Sequence, residues 1–302
     1  MGDFNRDGKL DLAVTSITAL EGLYYPGSVI ILLGNGDGTF RVDGEYGVGT
    51  NPQFVYADDF NRDGKTDLAV ANDWDDSVTV LLGNGDGTFG TGTNYTTGGG
   101  AASISGGDFN RDGVPDLAVL NYNTADVAVL LGKGDGTFHP ATNYPGGLNN
   151  CFGITASDFN YDGRLDLAIA DLSGARVQVL LGKGDGTFDS PVSVNLKANI
   201  QSVAVADFNR DGRPDLAATA YDGLVLILRN TTGDPRLDIA GRAGLLTVTW
   251  PFPSSGFILE SVTNLLSTNW QAAAEARTTN QGKWQVTFPS TESARYFRLR
   301  KQ

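Results

Sequence analysis

Short apolar stretches alternate with polar turns along the first 230 residues of the chain. In one repeat-sized segment these stretches are Gln53–Ala57, Leu68–Ala71, Val78–Leu82 and Gly92–Thr96, each bounded by Gly, Asn, Asp or Pro. Runs of four or five residues between turn formers are typical of β-strands. The pattern shows no helical period over this region, so it predicts an all-β protein with four strands in about 50 residues.

Two sequence motifs recur in phase with these strands. The first, Asp-Phe-Asn-x-Asp-Gly-x-x-Asp-Leu, begins at Asp3, Asp59, Asp108, Asp158 and Asp207, at spacings of 56, 49, 50 and 49 residues. The second, Leu-Leu-Gly-x-Gly-Asp-Gly-Thr-Phe, begins at Leu32, Leu81, Leu130 and Leu180. A four-stranded unit repeated at this period is the signature of a β-propeller blade, so five blades are predicted.

The first motif has the chemistry of a hard-cation loop. Its positions 1, 3, 5 and 9 are Asp, Asn, Asp and Asp, position 6 is Gly, and the backbone carbonyl at position 7 offers a further oxygen. Alternating oxygen side chains let a tight loop point every second residue at one centre, and Gly permits the sharp turn. Zinc or copper would favour His or Cys, and the chain has one of each, so calcium is favoured.

On both motifs the chain resembles FG-GAP/VCBS repeat proteins, such as the calcium-bearing blades of integrin α-chain propellers. The resemblance covers about residues 1–230. It implies that the loop joins the first two strands of a blade and that about five structural calcium ions bind. The side-chain ligands implied are Asp3, Asn5, Asp7 and Asp11; Asp59, Asn61, Asp63 and Asp67; Asp108, Asn110, Asp112 and Asp116; Asp158, Asn160, Asp162 and Asp166; and Asp207, Asn209, Asp211 and Asp215. The backbone carbonyls that complete them are those of Lys9, Lys65, Val114, Arg164 and Arg213.

Blade number is where the chain departs from this family, whose propellers usually have seven blades. Copies two to five carry a strand before the motif (Phe54–Ala57, Ser103–Gly106, Gly153–Ala156 and Val203–Ala206), whereas only Met1-Gly2 precedes the first copy. We therefore expect a fragment of a longer secreted protein with a seven-bladed ring. A five-bladed ring is the alternative, with the first calcium site then the least secure.

A second, smaller domain is predicted after the repeats. We assign residues 1–230 to the propeller, 231–235 to a linker and 236–302 to a small β-sandwich, because the motifs stop at Asn230 and Thr-Thr-Gly-Asp-Pro follows. Its predicted strands are Leu245–Trp250, Phe257–Glu260, Trp284–Phe288 and Tyr296–Leu299. The domain resembles short C-terminal modules of secreted bacterial proteins, a resemblance that implies no activity.

Charge separates the two domains and narrows the partners. Residues 235–302 hold four acids and eight bases, a net charge of +4. Because the whole chain has a net charge of −13, the remaining residues have a net charge of −17. An acidic propeller excludes nucleic acid as a partner, because phosphate binding needs a basic surface. No apolar run approaches the 18 or so residues that span a membrane. We expect an extracellular or cell-surface location, with the signal peptide lost together with a missing N-terminal part.

Nothing in the sequence has the pattern of a catalytic site. His139 occupies a slot that holds Arg41, Gly90 and Asp189 in the sibling copies, which is typical of a free surface position. Cys151 is interpreted as a small buried residue. The lone carboxylates of the second motif are interpreted as turn residues, not metal ligands: Asp37, Asp86, Asp135 and Asp185. The chain is therefore predicted not to be an enzyme.

The loops that differ between copies are predicted to share the face opposite the calcium loops. They carry aromatic residues together with Asp and Asn, a mixture that suits sugar rings. The candidate ligand residues are Tyr24, Tyr25, Trp74, Tyr122 and Tyr221. The leading hypothesis is a secreted binding or adhesion module for a glycan or protein. The alternatives are a polysaccharide lyase or hydrolase on a propeller scaffold, and a purely structural segment of a surface protein whose exposed loops bind no ligand.

Overall fold

The chain forms two compact units, Met1–Asn230 and Thr231–Gln302. The computed structural model describes residues 1–17, 26–145 and 150–231, and the C-terminal strand segments 238–242, 245–251, 257–262, 271–272, 278–280, 283–289 and 296–301. The boundary between the units falls where the repeats stop. Residues 232–235 of the predicted linker lie outside the described residues.

The first unit consists of five antiparallel sheets, each the blade of one repeat, and strands adjacent in sequence are adjacent in each sheet. Blade 1 contains β1 (Leu12–Ile17), β2 (Pro26–Gly34) and β3 (Phe40–Thr50). Blade 2 contains β4 (Pro52–Asp58), β5 (Asp67–Asn72), β6 (Ser77–Leu81) and β7 (Thr93–Thr96). Blade 3 contains β8 (Ala101–Gly107), β9 (Asp116–Asn121), β10 (Asp126–Leu130) and β11 (Thr142–Pro145). Blade 4 contains β12 (Cys151–Ser157), β13 (Asp166–Asp171), β14 (Arg176–Leu180) and β15 (Val192–Asn195), and blade 5 contains β16 (Ile200–Ala206), β17 (Asp215–Ala220) and β18 (Val225–Leu228).

These blades confirm the predicted all-β propeller and the four predicted strands of the second copy. Neighbouring blades cover both sides of the inner strands β5, β9 and β13. The sequences of these strands are therefore largely apolar along their whole length, without alternation of apolar and polar residues. Every residue of β5, β9 and β13 is buried. The outermost strands β7, β11 and β15 are mostly exposed and carry polar residues. The core thus consists of separate clusters, each lying between two neighbouring blades.

Strand alternation sends the connections to two opposite faces, as predicted. The loops of the first motif (the Asp loops) lie beside the Gly-Asp-Gly-Thr-Phe turns on one face, which we call the Asp-loop face. There the amide of Gly87 donates a hydrogen bond to the carbonyl of Phe4 over 3.0 Å. The turns between second and third strands lie on the other face, which we call the variable face, beside the links between blades. There the Tyr122 amide donates to the Gly100 carbonyl over 2.7 Å.

The second unit also contains only β-structure among its described residues. One sheet has the order β19 (Asp238–Arg242), β20 (Leu245–Pro251), β24 (Lys283–Pro289) and β23 (Thr278–Asn280), and the other has the order β22 (Gln271–Ala272), β21 (Phe257–Val262) and β25 (Tyr296–Lys301). The four predicted strands are therefore present, and β19, β22 and β23 are additional. Leu259 and Val286, one from each sheet, are buried. Within the described parts of the whole chain, no helix is long and apolar enough to cross a membrane.

Candidate functional site

The first three ligand positions of each Asp loop turn their oxygens inward, as the alternation predicted. In the first loop, the Asp7 amide donates to Asp3 Oδ1 and to Asn5 Oδ1, both over 3.0 Å. The Gly8 amide donates to Asp3 Oδ2 over 2.9 Å, and the Lys9 amide to Asp7 Oδ1 over 2.9 Å. The same hydrogen bonds recur in the other four loops. Side chains thus hold the loop closed in every copy.

The Asp at position 9 links the Asp loop to the end of the third strand. In blade 2, Asp67 Oδ2 accepts from the Phe60 amide over 2.9 Å, and its Oδ1 accepts from the Gly83 amide over 2.8 Å. Equivalent pairs of bonds hold Asp11, Asp116 and Asp166, and all of these side chains are completely buried. Both carboxylate oxygens therefore already serve the backbone. The predicted role of position 9 as a metal ligand stays a prediction.

The fifth loop departs from this arrangement. Asp215 Oδ1 accepts from the Asn230 amide over 2.7 Å, because the repeat has no Gly-Asp-Gly-Thr-Phe turn to supply the donor. Its Oδ2 is buried without a hydrogen-bond partner. A buried carboxylate oxygen left unpaired is costly, so this loop is the least well satisfied of the five.

Burial raises the pKa of three of the position-9 carboxylates, Asp67, Asp116 and Asp166. Desolvation raises the pKa of Asp67 to about 6, against the opposing effect of the hydrogen bonds from the Gly83 and Phe60 amides. Desolvation likewise raises the pKa of Asp116 to about 6, and the pKa of Asp166 shifts in the same direction. Nearby acids of the same loop, Asp59 and Asp63 in blade 2, raise the pKa further. The loops therefore concentrate negative charge that a cation would relieve.

Position 7 supplies a cation to position 5 in four of the loops. Lys9 Nζ lies 3.2 Å from Asp7 Oδ2, Lys65 Nζ lies 3.1 Å from Asp63 Oδ2, and Arg164 lies 2.6 Å from Asp162 Oδ2. Arg213 forms the same pair with Asp211. The Arg164 hydrogen bond lowers the pKa of Asp162. The third loop has Val114 at position 7. There Asn110 Nδ2 donates to Asp112 Oδ2 over 2.8 Å, a bond that also occurs in the fourth loop beside the Arg164 pair.

These ion pairs were missed at the sequence level, where position 7 was considered only for its backbone carbonyl. The signal was present, since position 7 is basic in four of five copies. The side chain lies two residues from its partner along a tightly curved loop, which brings the two charges together. The Lys9, Lys65 and Arg164 pairs are partly exposed to solvent, which makes them weak and salt-sensitive.

The donors present fit calcium in composition, and only partly in arrangement. Two carboxylates and a carboxamide at positions 1, 3 and 5 are the oxygen ligands that calcium prefers. Asp3 and Asn5 already direct oxygens at one amide, whereas position 5 is paired with position 7 and position 9 with the backbone. Within the described residues, no group of three or more His, Cys, Asp or Glu side chains is arranged to hold a metal ion. Calcium would therefore take positions 1, 3 and 5 and compete with the cation at position 7.

Two pairs of neighbouring Asp loops are connected through the fourth residue of the loop, a feature that the sequence reading missed. This residue has a left-handed backbone in all five loops, with φ between 60° and 64°: Arg6, Arg62, Arg111, Tyr161 and Arg210. Such a conformation is unfavourable for residues other than glycine. Arg62 donates to the Gly113 carbonyl over 2.6 Å, and the Tyr161 hydroxyl donates to the Gly212 carbonyl over 2.9 Å. In these two loops the turn thus aims a long donor side chain at the next loop.

The Gly-Asp-Gly-Thr-Phe turns behave as predicted. In blade 2, Asp86 Oδ1 accepts from the Thr88 amide over 3.0 Å and from the Thr88 hydroxyl over 2.6 Å. These hydrogen bonds lower the pKa of Asp86, and the same pair of bonds recurs in the other three turns. Asp37, Asp86, Asp135 and Asp185 are therefore turn residues.

The variable face carries the exposed aromatic residues that the sequence singled out. Trp74 is 54% exposed and Tyr221 is 73% exposed. Tyr122 is half-buried, and its ring packs against that of Phe152 with centroids 4.9 Å apart. Tyr24 and Tyr25 lie outside the described residues. Trp74, Tyr122 and Tyr221 thus lie on one face, in blades 2, 3 and 5 respectively.

Phe152 is a residue of this face that the sequence reading missed. The register between β12 and β13 shifts between Cys151 and Gly153, so Phe152 lies at a β-bulge and is 46% exposed. The same shift occurs at the start of β4, β8 and β16. Bulges redirect side chains and are frequent beside functional sites. The signal was the aromatic side chain at a slot that holds Gln53, Ala102 and Gln201 in the other copies.

Repeated antiparallel blades of three or four strands, with an Asp loop at the same corner of each, define a repeat-built β-propeller. The family model described as FG-GAP-like repeat matches residues 3–70, 59–119, 108–169 and 158–218. These matches span more than half of the chain, which therefore belongs to the family of FG-GAP-like repeat proteins. The family resemblance drawn from the motifs is confirmed.

Solved structures with similar folds have low sequence identity to this chain. BBS1N in complex with ARL6DN is 15% identical with a TM-score of 0.46, covering 72% of this chain and 66% of that chain. NanB, solved with Optactamide, is 11% identical with a TM-score of 0.47, covering 68% of this chain and 36% of that chain. Virginiamycin B lyase from Staphylococcus aureus is 11% identical with a TM-score of 0.41, covering 73% of this chain and 69% of that chain. The chain thus spans just under two thirds of BBS1N and about a third of NanB. No curated protein matches the sequence significantly.

Proposed function

We propose that this chain is an extracellular binding or adhesion module, in which the variable face contacts a glycan or protein and calcium stabilises the Asp loops. The observation that carries the proposal is the set of exposed aromatic side chains on the variable face. Trp74 and Tyr221 are more than half exposed, and the Tyr122–Phe152 pair adds two rings in contact, with their planes inclined at 35°. Exposed aromatic rings beside hydrogen-bonding groups are favourable for sugar faces and for protein contacts.

Polar groups near these rings supply the hydrogen bonds that a glycan or protein would need. Asp73, Asp75 and Asp76 belong to the same turn as Trp74, and Asn123 follows Tyr122. Asp75 also accepts from the Thr50 amide over 2.6 Å, and Asp76 Oδ1 accepts from the Gly100 amide over 2.7 Å. These bonds tie the turn to the links between blades. A turn held in place loses little conformational entropy on binding.

The Asp-loop face is the less suitable of the two for a variable partner. Its loops have nearly the same sequence in every copy and use their polar groups to bond to their own backbone. Its proposed role is to bind calcium at positions 1, 3 and 5. Calcium outside cells reaches the concentrations at which such loops bind, with dissociation constants of about 0.1–1 mM. This match supports the extracellular location.

Binding to immobilised glycans and to extracellular matrix proteins tests the role of the variable face. The wild-type protein is compared with the triple variant Trp74→Ala/Tyr122→Ala/Tyr221→Ala, in about 2 mM calcium. The matched control is His139→Ala, which removes an exposed ring next to a Gly-Asp-Gly-Thr-Phe turn. We expect the triple variant to lose at least about tenfold in affinity, since each anchor is worth about 1–2 kcal/mol, and the control to bind as the wild type does. Binding that survives the triple substitution would remove the proposal.

A further inference from the structure

Neighbouring blades contact each other through two distinct faces, which repeat along the chain. We call the face of a blade that points toward the preceding repeat its leading face. This face carries the second and fourth residues of the blade's buried strand, such as Leu167 and Ile169 of β13 in blade 4. The face toward the following repeat (its trailing face) carries Ala118, Leu120, Val127 and Val129 in blade 3. These residues form one buried cluster between blades 3 and 4. Every interior interface is thus a trailing face packed on a leading face.

Aromatic rings join these faces at the Asp-loop side. The Phe at position 2 of one Asp loop and a Tyr of the same blade's outer strand both contact the Phe of the next blade's Gly-Asp-Gly-Thr-Phe turn. Phe60 and Tyr95 lie 5.4 Å and 5.6 Å from Phe138 by ring centroids, edge to face. Two further interfaces have the same geometry, Phe4 and Tyr46 with Phe89, and Phe109 and Tyr144 with Phe188. At these three interfaces the leading face therefore contributes the turn Phe, and the trailing face contributes the Asp-loop Phe and the outer-strand Tyr.

The leading face of blade 1 carries the turn Phe and an apolar strand residue of this interface, and both of these side chains are exposed. Phe40, the turn Phe of blade 1, is 43% exposed, whereas Phe89, Phe138 and Phe188 are 7%, 3% and 7% exposed. Val14 is 42% exposed, whereas the residues at its position in blades 2 to 4 are completely buried, namely Val70, Val119 and Ile169. The exposure is therefore specific to the end blade.

The trailing face of blade 5 is exposed in the same way. Val225 and Ile227 on β18 are 65% and 49% exposed, whereas Val78 and Val80 at the same positions of blade 2 are 0% and 2% exposed. Phe208, at position 2 of the fifth Asp loop, is 48% exposed, whereas its counterparts are at most 9% exposed: Phe4, Phe60, Phe109 and Phe159. Contiguous exposed apolar surface of this kind marks an interaction site.

The two exposed faces are complementary, because each offers what the other lacks. Blade 1 presents a turn Phe without an Asp-loop Phe against it, and blade 5 presents an Asp-loop Phe without a turn Phe. Arg210 is the fourth residue of the last Asp loop, and Gly8 is the sixth residue of the first. They correspond to the Arg62 and Gly113 pair that links blades 2 and 3. A second copy of the chain therefore carries a partner for each exposed face.

We propose that copies of this chain associate head to tail, with the trailing face of blade 5 of one copy packed on the leading face of blade 1 of the next. The contact continues the interface already repeated between blades. In it Phe208 packs against Phe40, Val225 and Ile227 pack against the Val14 side of blade 1, and Arg210 reaches the Gly8 carbonyl. Such a contact is heterologous, so it builds rings or chains and not two-fold dimers.

Sedimentation velocity tests the proposal with two variants that each disable one face. Phe40→Glu/Val14→Glu blocks the leading face, and Val225→Glu/Ile227→Glu blocks the trailing face. All four side chains are at least 42% exposed, so the charges are tolerated by the fold, which circular dichroism checks. The matched control is Val192→Glu, a 58% exposed valine on the outer strand β15. Proteins are compared from about 1 to about 100 µM, which spans moderate affinities.

The wild type and the Val192→Glu control are expected to form dimers or larger assemblies, and each face variant alone is expected to be monomeric. An equimolar mixture of the two face variants is expected to form a dimer with one copy of each, because one intact pair of faces remains. A wild-type protein that stays monomeric throughout, as it would if another part of its own chain covered these faces, overturns the proposal. A mixture that stays monomeric, or face variants that still self-associate, also overturns it.

Discussion

The two faces of the propeller share one backbone frame and use their side chains in opposite ways. On the Asp-loop face, carboxylates and carboxamides bond to their own backbone, and the same bonds recur from blade to blade. On the variable face, the corresponding turns differ in sequence and expose Trp74 and Tyr221. The comparison teaches that one face repeats the same stabilising hydrogen bonds in every blade, in addition to the cores between blades. The other face is thereby free to vary without loss of the fold.

Removal of calcium is the largest predicted effect on this contrast, because it acts on all five Asp loops at once. At about ten times the dissociation constant, each bound ion adds about 1.4 kcal/mol, so five ions add about 7 kcal/mol. We expect the melting temperature to be well over about 10 °C higher in about 2 mM calcium than in excess EDTA. Differential scanning calorimetry measures it, with magnesium as the control cation. Equal melting temperatures would mean that the Asp loops are turns only.

Loss of one position-9 carboxylate is the next largest effect, and it does not depend on calcium. Asp116→Ala leaves the buried amides of Phe109 and Gly132 without acceptors, at a cost of about 1–3 kcal/mol each. We expect the free energy of unfolding in EDTA to fall by about 3 kcal/mol, as measured by urea denaturation. The control is Asp189→Ala, which removes an exposed carboxylate 3.3 Å from Lys183 and should cost under about 0.5 kcal/mol. Equal losses in both variants would contradict the structural role of Asp116.

A smaller effect is expected from pH in the absence of calcium. Burial raises the pKa of Asp67 and Asp116 to about 6, above the ordinary 3.8, so between these values the folded protein holds more protons than the unfolded chain. The free energy of unfolding therefore rises as the pH falls through about 6 toward about 4. Urea denaturation in EDTA at pH values from about 7 to about 5 measures this slope. The Asp67→Asn/Asp116→Asn variant should lose most of it, and a wild-type stability that falls over this range would refute the assignment.

The smallest effect on stability is expected on the variable face. The triple variant Trp74→Ala/Tyr122→Ala/Tyr221→Ala removes side chains that lie largely outside the cores between blades. We expect its melting temperature in calcium to lie within about 3 °C of the wild-type value, since surface substitutions change stability by about 0.5 kcal/mol each. A drop comparable to that of Asp116→Ala would mean that this face also holds the blades together.

The repeat period made most of the fold predictable from the sequence. The strand predicted at Leu68–Ala71 is observed as Asp67–Asn72, and both faces received the loops assigned to them. Local side-chain geometry was less predictable. Asp67 was predicted as a metal ligand from the spacing of oxygen side chains and the family resemblance, and this stays a prediction. The hydrogen bond that its Oδ1 accepts from Gly83, 16 residues away, was not predictable, because only the strand pairing brings them together. Phe152 was overlooked because the bulge that exposes it depends on the pairing of β12 with β13.

The interface between blades 4 and 5 lacks the aromatic contacts of the preceding ones. Val194 replaces the outer-strand Tyr, no turn Phe follows, and the Asn230 side chain donates to the Phe159 carbonyl over 2.8 Å instead. In a repeat protein, the coupling between neighbouring units decides whether they unfold as one. Blade 5 is therefore the weakly coupled unit of the array, and its amides should exchange with solvent by opening events that leave blades 2 to 4 intact. Native-state hydrogen exchange would then show not one cooperative unfolding unit but two.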